Sequence, residues 1–137
     1  MSLVLDSSVA LSWCFEDERT PATAALLDGV TETGAFAPSL WPIETLNGLL
    51  VAERRGRIDR TRRQRLAGFL RMLPVCLDAE TVAHVWTSTA PLAERYRLSA
   101  YDATYLELAL RLNLSLATLD RRLRSAATAL EISLLGL

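Results

Sequence analysis

The chain alternates between two kinds of hydrophobic pattern. Leu3-Val4-Leu5 is a short apolar run that stops at Asp6, the mark of a buried strand. Val9 to Phe15 then reads as helix. Thr20 opens a second helix, with Pro21 in its first position and Gly29 and Gly34 bracketing its end. Ala35-Phe36-Ala37 is a second short strand. Ser39 to Arg54 predicts a long helix with Leu46, Leu49 and Leu50 on one face, closed by Gly56. Asp59 to Arg71 predicts another, with Leu66, Phe69, Leu70 and Leu73 at i, i+3, i+4 and i+7. Val75-Cys76-Leu77 is a third strand. Glu80 to Arg95 and Ala100 to Leu112 predict helices, Ser115-Leu116-Ala117 a fourth strand, Asp120 to Ala129 a last helix, and Ile132 to Leu135 a fifth strand.

Short apolar strands alternating with helices imply crossover units, hence a short, mostly parallel central sheet flanked by helices on both faces. The expected class is α/β. A chain of 137 residues, half of them hydrophobic, suits one domain over 1–137, and no linker, repeat or low-complexity stretch divides it. Met1 to Trp13 is apolar but carries Asp6 and lacks a basic start, so no signal segment is expected. No uncharged apolar run is long enough for a membrane span, and the expected setting is soluble and cytoplasmic.

Composition narrows the chemistry. All 15 cations are Arg; there is no Lys, one His (His84) and two Cys (Cys14 and Cys76). A Walker A loop and Schiff-base catalysis both need a Lys and are excluded. A single His rules out an HExxH zinc site, and His84 lies in the apolar Ala83-His84-Val85-Trp86, a setting for a packed side chain rather than a catalytic triad. The cysteines lack CxxC spacing and read as reduced thiols filling core space. Trp13, Trp41 and Trp86 read as packing residues.

In parallel sheets of this kind, ligands bind beyond the carboxyl ends of the strands. Asp6 directly follows the first strand, and Asp120 lies three residues after the fourth. Glu44 and Asp102 fall in the first turns of two helices. Each acid has a plain structural reading, as a helix cap or as an acid facing the helix dipole. Together they allow another, in which four carboxylates converge on one edge of the sheet. Such a group repels itself unless a cation neutralises it, and an all-oxygen ligand set suits Mg²⁺ or Mn²⁺. The matching chemistry is metal-assisted hydrolysis of a phosphodiester.

Four blocks carry a family resemblance. Leu3-Val4-Leu5-Asp6-Ser7-Ser8-Val9 is one, and Pro38 through Glu44 with Asn47 one turn on is another. The remaining two, Ala100-Tyr101-Asp102-Ala103-Thr104-Tyr105-Leu106-Glu107-Leu108-Ala109 and Leu116-Ala117-Thr118-Leu119-Asp120-Arg121-Arg122-Leu123, are the most specific. The chain resembles PIN domains, in particular the VapC toxin branch of bacterial type II toxin–antitoxin systems, from Val4 to about Leu134. The resemblance implies a single PIN-like domain and a Mg²⁺- or Mn²⁺-dependent endoribonuclease, a homodimer restrained by a cognate antitoxin protein. By position, Asp6 and Asp102 resemble the principal metal ligands. Glu44 and Asp120 resemble the other two acids, binding metal directly or through water. Thr118 matches a supporting hydroxyl, and Asn47 a frequent polar neighbour.

Charge is unevenly spread beneath a net of −1. Positions 54–65 hold seven Arg and one Asp, among them Arg54, Arg55 and Arg57. One reading is a surface for RNA phosphates or for an acidic segment of a partner; the other is the solvated face of a helix pair. Arg121, Arg122 and Arg124, beside Asp120, stand nearer a phosphate at the site. Two further functional readings compete. A receiver or haloacid-type phosphatase fold also puts Asp after its first strand, but both normally need a Lys. A catalytically silent PIN-like module that only binds protein or RNA would leave the acids as caps.

Overall fold

The computed structural model describes residues 2–137 and contains five strands in one parallel sheet. In chain order the elements are β1 (Val4–Leu5), α1 (Ser7–Ser12), α2 (Pro21–Thr33), β2 (Ala35–Pro38), α3 (Trp41–Arg54), α4 (Arg60–Met72), β3 (Val75–Asp78), α5 (Ala90–Tyr96), α6 (Ala100–Leu112), β4 (Leu116–Ala117), α7 (Arg121–Ala129) and β5 (Leu134–Leu135). Strand order is β3-β2-β1-β4-β5, with every neighbouring pair parallel. β1, first in sequence, is therefore central. Val4 pairs with Phe36 on one side and with Leu116 on the other. Val4 and Leu5 are fully buried, as befits a strand covered on both faces. No described helix is long and apolar enough to cross a membrane.

Local sequence explains the best-defined helices. Thr20 caps α2 by accepting from the Thr23 N–H at 3.1 Å, while Thr23 Oγ1 accepts from the Thr20 N–H, a reciprocal box followed by Pro21. Gly34 ends that helix at φ 81°, a conformation that suits glycine. Ser99 caps α6 through the Asp102 N–H, and Asn113 closes it in the left-handed region. Seven consecutive residues of α6, Ala103 to Ala109, are buried, so this helix runs through the core.

Five expectations are corrected. The first helix is Ser7–Ser12, not Val9 to Phe15; Trp13 instead anchors the chain by donating its Nε1–H to the Thr23 carbonyl at 2.7 Å. The stretch from Glu80 to Arg95 is not one helix. Val82–His84 forms a tight 3₁₀ turn, Val85–Thr89 a wide π turn, and only Ala90–Tyr96 is α-helical. Pro91 has no N–H for the Thr87 carbonyl, so a regular α ladder cannot run through this point. The irregular turn leaves Trp86 85% exposed, not packed. Cys76 is also exposed, because β3 is an edge strand; Cys14 is the buried thiol, and burial pushes it up to about 11. On α3 the buried face is Trp41, Thr45, Leu49 and Ala52, and Leu46 points outward.

A charged network fastens β3 to α6. Arg111 donates to Asp78 Oδ2 at 2.5 Å and to Glu107 Oε1 at 2.7 Å, and the His84 ring lies 3.8 Å from Glu107. Burial disfavours ionised Asp78, but hydrogen bonds from Arg111 and Thr81 outweigh it and hold the carboxyl below its usual range. Arg111→Met strands two acids without their cation and should lower the unfolding free energy at pH 7 by about 3 kcal/mol. Because the folded-state pKa of Asp78 is depressed, its contribution is present above about pH 4 and is lost as acid protonates it. The gap between wild type and variant should therefore narrow at pH 3. Urea unfolding at both pH values measures this, and equal midpoints at pH 7 would refute it.

Candidate functional site

β1 delivers Asp6 to the carboxyl edge of the sheet, at the mouth of α1. It occupies the capping position yet makes no capping hydrogen bond with its side chain. The carboxylate instead accepts from two hydroxyls, Ser8 Oγ at 2.6 Å and Thr118 Oγ1 at 2.7 Å, both on Oδ2. That leaves Oδ1 free of hydroxyl partners among the described residues. Asp6 is only 3% exposed, and burial raises its pKa against the pull of these two hydrogen bonds; the charge of Asp120 raises it further.

The same two hydroxyls tie β1 to the loop after β4. Ser8 Oγ accepts from the Leu119 N–H at 3.0 Å, and Thr118 Oγ1 accepts from the Asp120 N–H at 3.1 Å. Thr118 is fully buried. Asp120 does cap its helix: Oδ1 accepts from the Leu123 N–H at 2.8 Å. The plain capping reading thus holds for Asp120 and fails for Asp6.

Glu44 sits in the first turn of α3, half-buried. Its Oε1 accepts from the Tyr105 hydroxyl at 2.5 Å across the core. Burial raises the Glu44 pKa, the Tyr105 hydrogen bond opposes this, and the charges of Asp6 and Asp102 add to the rise. Asp102, one turn before Tyr105 on α6, is raised by burial and by the charges of Asp120 and Asp6. Asp6 is therefore within electrostatic reach of each of the other three acids. Tyr105, wholly buried beside Asp6 and Glu44, is pushed far up and stays a neutral donor.

α3 approaches α1 closely at Gly48. A Cβ on Gly48 would collide with the Leu11 side chain of α1. Gly48 lies one turn after Glu44, and a side chain there would require Leu11 to move.

Other expected residues stand elsewhere. Asn47 is exposed on α3. Arg54 and Arg55 lie at the far end of that helix, roughly 15 Å along the axis from Glu44. Arg57 is occupied: it pairs with Asp17 and Glu18 and stacks over Phe15 at 4.2 Å. Arg63 pairs with Glu53. Arg121 and Arg122 are exposed in the first turn of α7, and Arg122 is near enough to lower the Asp102 pKa. Arg124 is turned inward, donating to the carbonyls of Thr118 and Leu135, so it braces the β4–β5 edge rather than facing a phosphate. An apolar groove of about 420 Å³ between α3, α4 and β3 is lined by none of the four acids.

Sequence reasoning passed over Ser8, Tyr105 and Gly48 as site residues. The signal was present for two of them: Ser8 is two residues from Asp6, and Tyr105 shares a helix face with Asp102 at i+3. Gly48 left no signal, because the partner it must avoid is distant in sequence.

The donors gathered here are all oxygens, carboxylates flanked by hydroxyls, with no Lys to neutralise them. That chemistry fits Mg²⁺ or Mn²⁺. No three described His, Cys, Asp or Glu residues already close around one point tightly enough to hold an ion, so the arrangement is a carboxylate-rich edge rather than a finished cage.

The family model for the PIN domain matches residues 3–129. Among curated proteins, none matches the sequence. Solved structures with the same fold include PAE2754 from Pyrobaculum aerophilum, 22% identical, covering 92% of this chain and 84% of that one, with a TM-score of 0.68. FitAcB from Neisseria gonorrhoeae is 17% identical, with coverage of 98% and 96% and a TM-score of 0.67. VapBC2 from Rickettsia felis, bound to a DNA fragment from their promoter, is 14% identical, with coverage of 98% and 97% and a TM-score of 0.64. By its matched family model, this chain belongs to the PIN domain family, whose members are generally nucleases.

Proposed function

We propose that the chain is a metal-dependent endoribonuclease, the toxin of a VapBC-like type II pair, hydrolysing RNA phosphodiesters at Asp6, Glu44, Asp102 and Asp120. The observation that carries this reading is Asp6: a buried carboxylate at a helix start that leaves the cap unmade and is held instead by Ser8 and Thr118. A stability role alone does not account for that arrangement, because it buries charge beside three further acids.

Asp6 and Asp102 would hold Mg²⁺ or Mn²⁺, with Glu44 and Asp120 completing the site directly or through water. The ion supplies an acidified water and polarises a phosphoryl oxygen. The chain's own residues orient and exclude. Thr118 and Ser8 keep Asp6 Oδ2 engaged, which leaves Oδ1 as the oxygen that would meet the ion. The exposed Arg121 and Arg122 offer donors to an RNA phosphate near Asp102. Arg54 and Arg55, far from Glu44, suit a more distant stretch of RNA or an acidic antitoxin segment. The antitoxin partner is supported by the fold shared with FitAcB and VapBC2. Homodimerisation draws on exposed apolar side chains, among them Ile43, Val82, Trp86 and Tyr101. The same reading places the protein in the cytoplasm.

The competing reading, a silent binding module, draws on the Asp120 cap and on the absence of a ready-made three-ligand cage among the described residues. Metal titration separates the two. A hundredfold excess of Mn²⁺ over its Kd should raise the melting temperature by roughly 5–10 °C, and no shift at millimolar metal would favour the binder. Asp6→Ala or Asp102→Asn should keep the fold and cut RNA cleavage about a thousandfold, matching several kcal/mol of lost charge stabilisation. Full cleavage by either purified variant would sink the nuclease assignment. Thr118→Val, which removes one Asp6 hydroxyl, should weaken Mn²⁺ binding about 10- to 100-fold, with Thr118→Ser restoring most of it; the same titration reads this out, and wild-type affinity in Thr118→Val would count against an orienting role.

A further inference from the structure

We propose that Tyr105 is the positioning residue for Glu44, the hydroxyl that fixes this acid relative to Asp6 and Asp102. The inference rests on the metal-dependent reading above. α3 carries Glu44 and packs against α1 and α4. Asp102 stands on α6, and Asp6 follows β1. The Tyr105–Glu44 hydrogen bond, between residues 61 apart in sequence, joins α3 to α6 at the site. Asp6 and Asp102 are both within electrostatic reach of the same Glu44 carboxyl. Two elements, α3 and α6, meet at one carboxylate oxygen, Glu44 Oε1. With Oε1 taken by the phenol, a cation would engage Glu44 through its other oxygen.

The choice of residue type matters. An Arg or Lys in this place would also hold Glu44, but it would neutralise the acid and compete with a divalent ion for it. A phenol orients the carboxylate while leaving its charge intact. The ring supplies the rigidity: Tyr105 is fully buried within α6 and has no freedom to follow a wandering Glu44. Tyr105 lies one turn from Asp102 on the same helix, so the spacing between the two acids is set by that helix.

The experiment compares wild type, Tyr105→Phe, Glu44→Gln and the double variant, reading Mn²⁺ affinity by thermal shift and kcat and KM on RNA. Phe keeps the ring and leaves no unpaired buried hydroxyl behind. Tyr105→Phe is expected to weaken Mn²⁺ binding about 10- to 100-fold and to lower kcat, with KM for RNA little changed. On the Glu44→Gln background the Phe substitution should add nothing, because the hydroxyl acts only through Glu44. Wild-type Mn²⁺ affinity and kcat in Tyr105→Phe overturn the proposal, as does a further loss of equal size on the Glu44→Gln background. If Tyr105→Phe fails to fold, 4-fluorophenylalanine at position 105, which fills the hydroxyl's space but cannot donate, is read in the same way. Wild type with no response to Mn²⁺ overturns the underlying metal reading, and this proposal with it; that result is distinct from a responding wild type with an unaffected variant.

Discussion

The organisation of the molecule turns on a buried carboxylate at the end of the central strand. Asp6 follows a strand with neighbours on both sides, so it cannot retreat to solvent without breaking the sheet. Burying it costs free energy that only hydrogen bonds or a cation can offset. Ser8 and Thr118 supply part of that compensation, and in doing so they fasten the β4–α7 loop across β1. The same pair of hydroxyls that makes the acid tolerable also sets where Asp120 begins α7. Stability and site geometry are two results of one arrangement.

The other acids arrive by different physical routes. Asp102 is set by a capped helix that runs through the core, with its register fixed by buried residues. Glu44 depends on tertiary packing, on a glycine that lets α3 touch α1 and on a phenol reaching across from α6. Asp120 is held by its own cap. The edge is thus rigid at Asp6 and Asp102 and more conditional at Glu44. Around it the Arg residues divide by role. Arg111 and Arg124 are structural, Arg57 is engaged by Asp17 and Glu18, and Arg121, Arg122, Arg54 and Arg55 remain exposed.

Local signals were legible wherever local chemistry decides. Thr20-Pro21 marked the start of α2, and the helix expected over Ala100 to Leu112 has those bounds, because capping and burial periodicity are written in neighbouring positions. The five strands and their alternation with helices were legible for the same reason. The strand order was not, since pairing depends on contacts across the whole chain. Three failures have separate causes. The helix expected over 80–95 broke at Pro91, where backbone chemistry outweighed a weak apolar period. Cys76 and Trp86 were taken for core by residue type, whereas an edge strand and a wide turn decide their exposure. On α3 the leucines suggested one face, and tertiary packing selected another, that of Trp41, Thr45, Leu49 and Ala52. Of the four acids, position alone suggested a shared edge; which of them caps and which does not was visible only in three dimensions.

The central place of β1 has a consequence for how the protein comes to exist during synthesis. Of the five strands β1 is made first, yet one of its two flanking strands, β4, is made more than a hundred residues later. Until residues 116–118 have left the ribosome and folded back, Asp6 lacks its Thr118 hydroxyl and one wall of its surroundings, and Asp120 does not yet exist. A partly translated chain thus carries the first acid of the edge without the means to set it in place. The order of the strands acts as a delay, withholding an assembled edge until nearly the whole domain has been made.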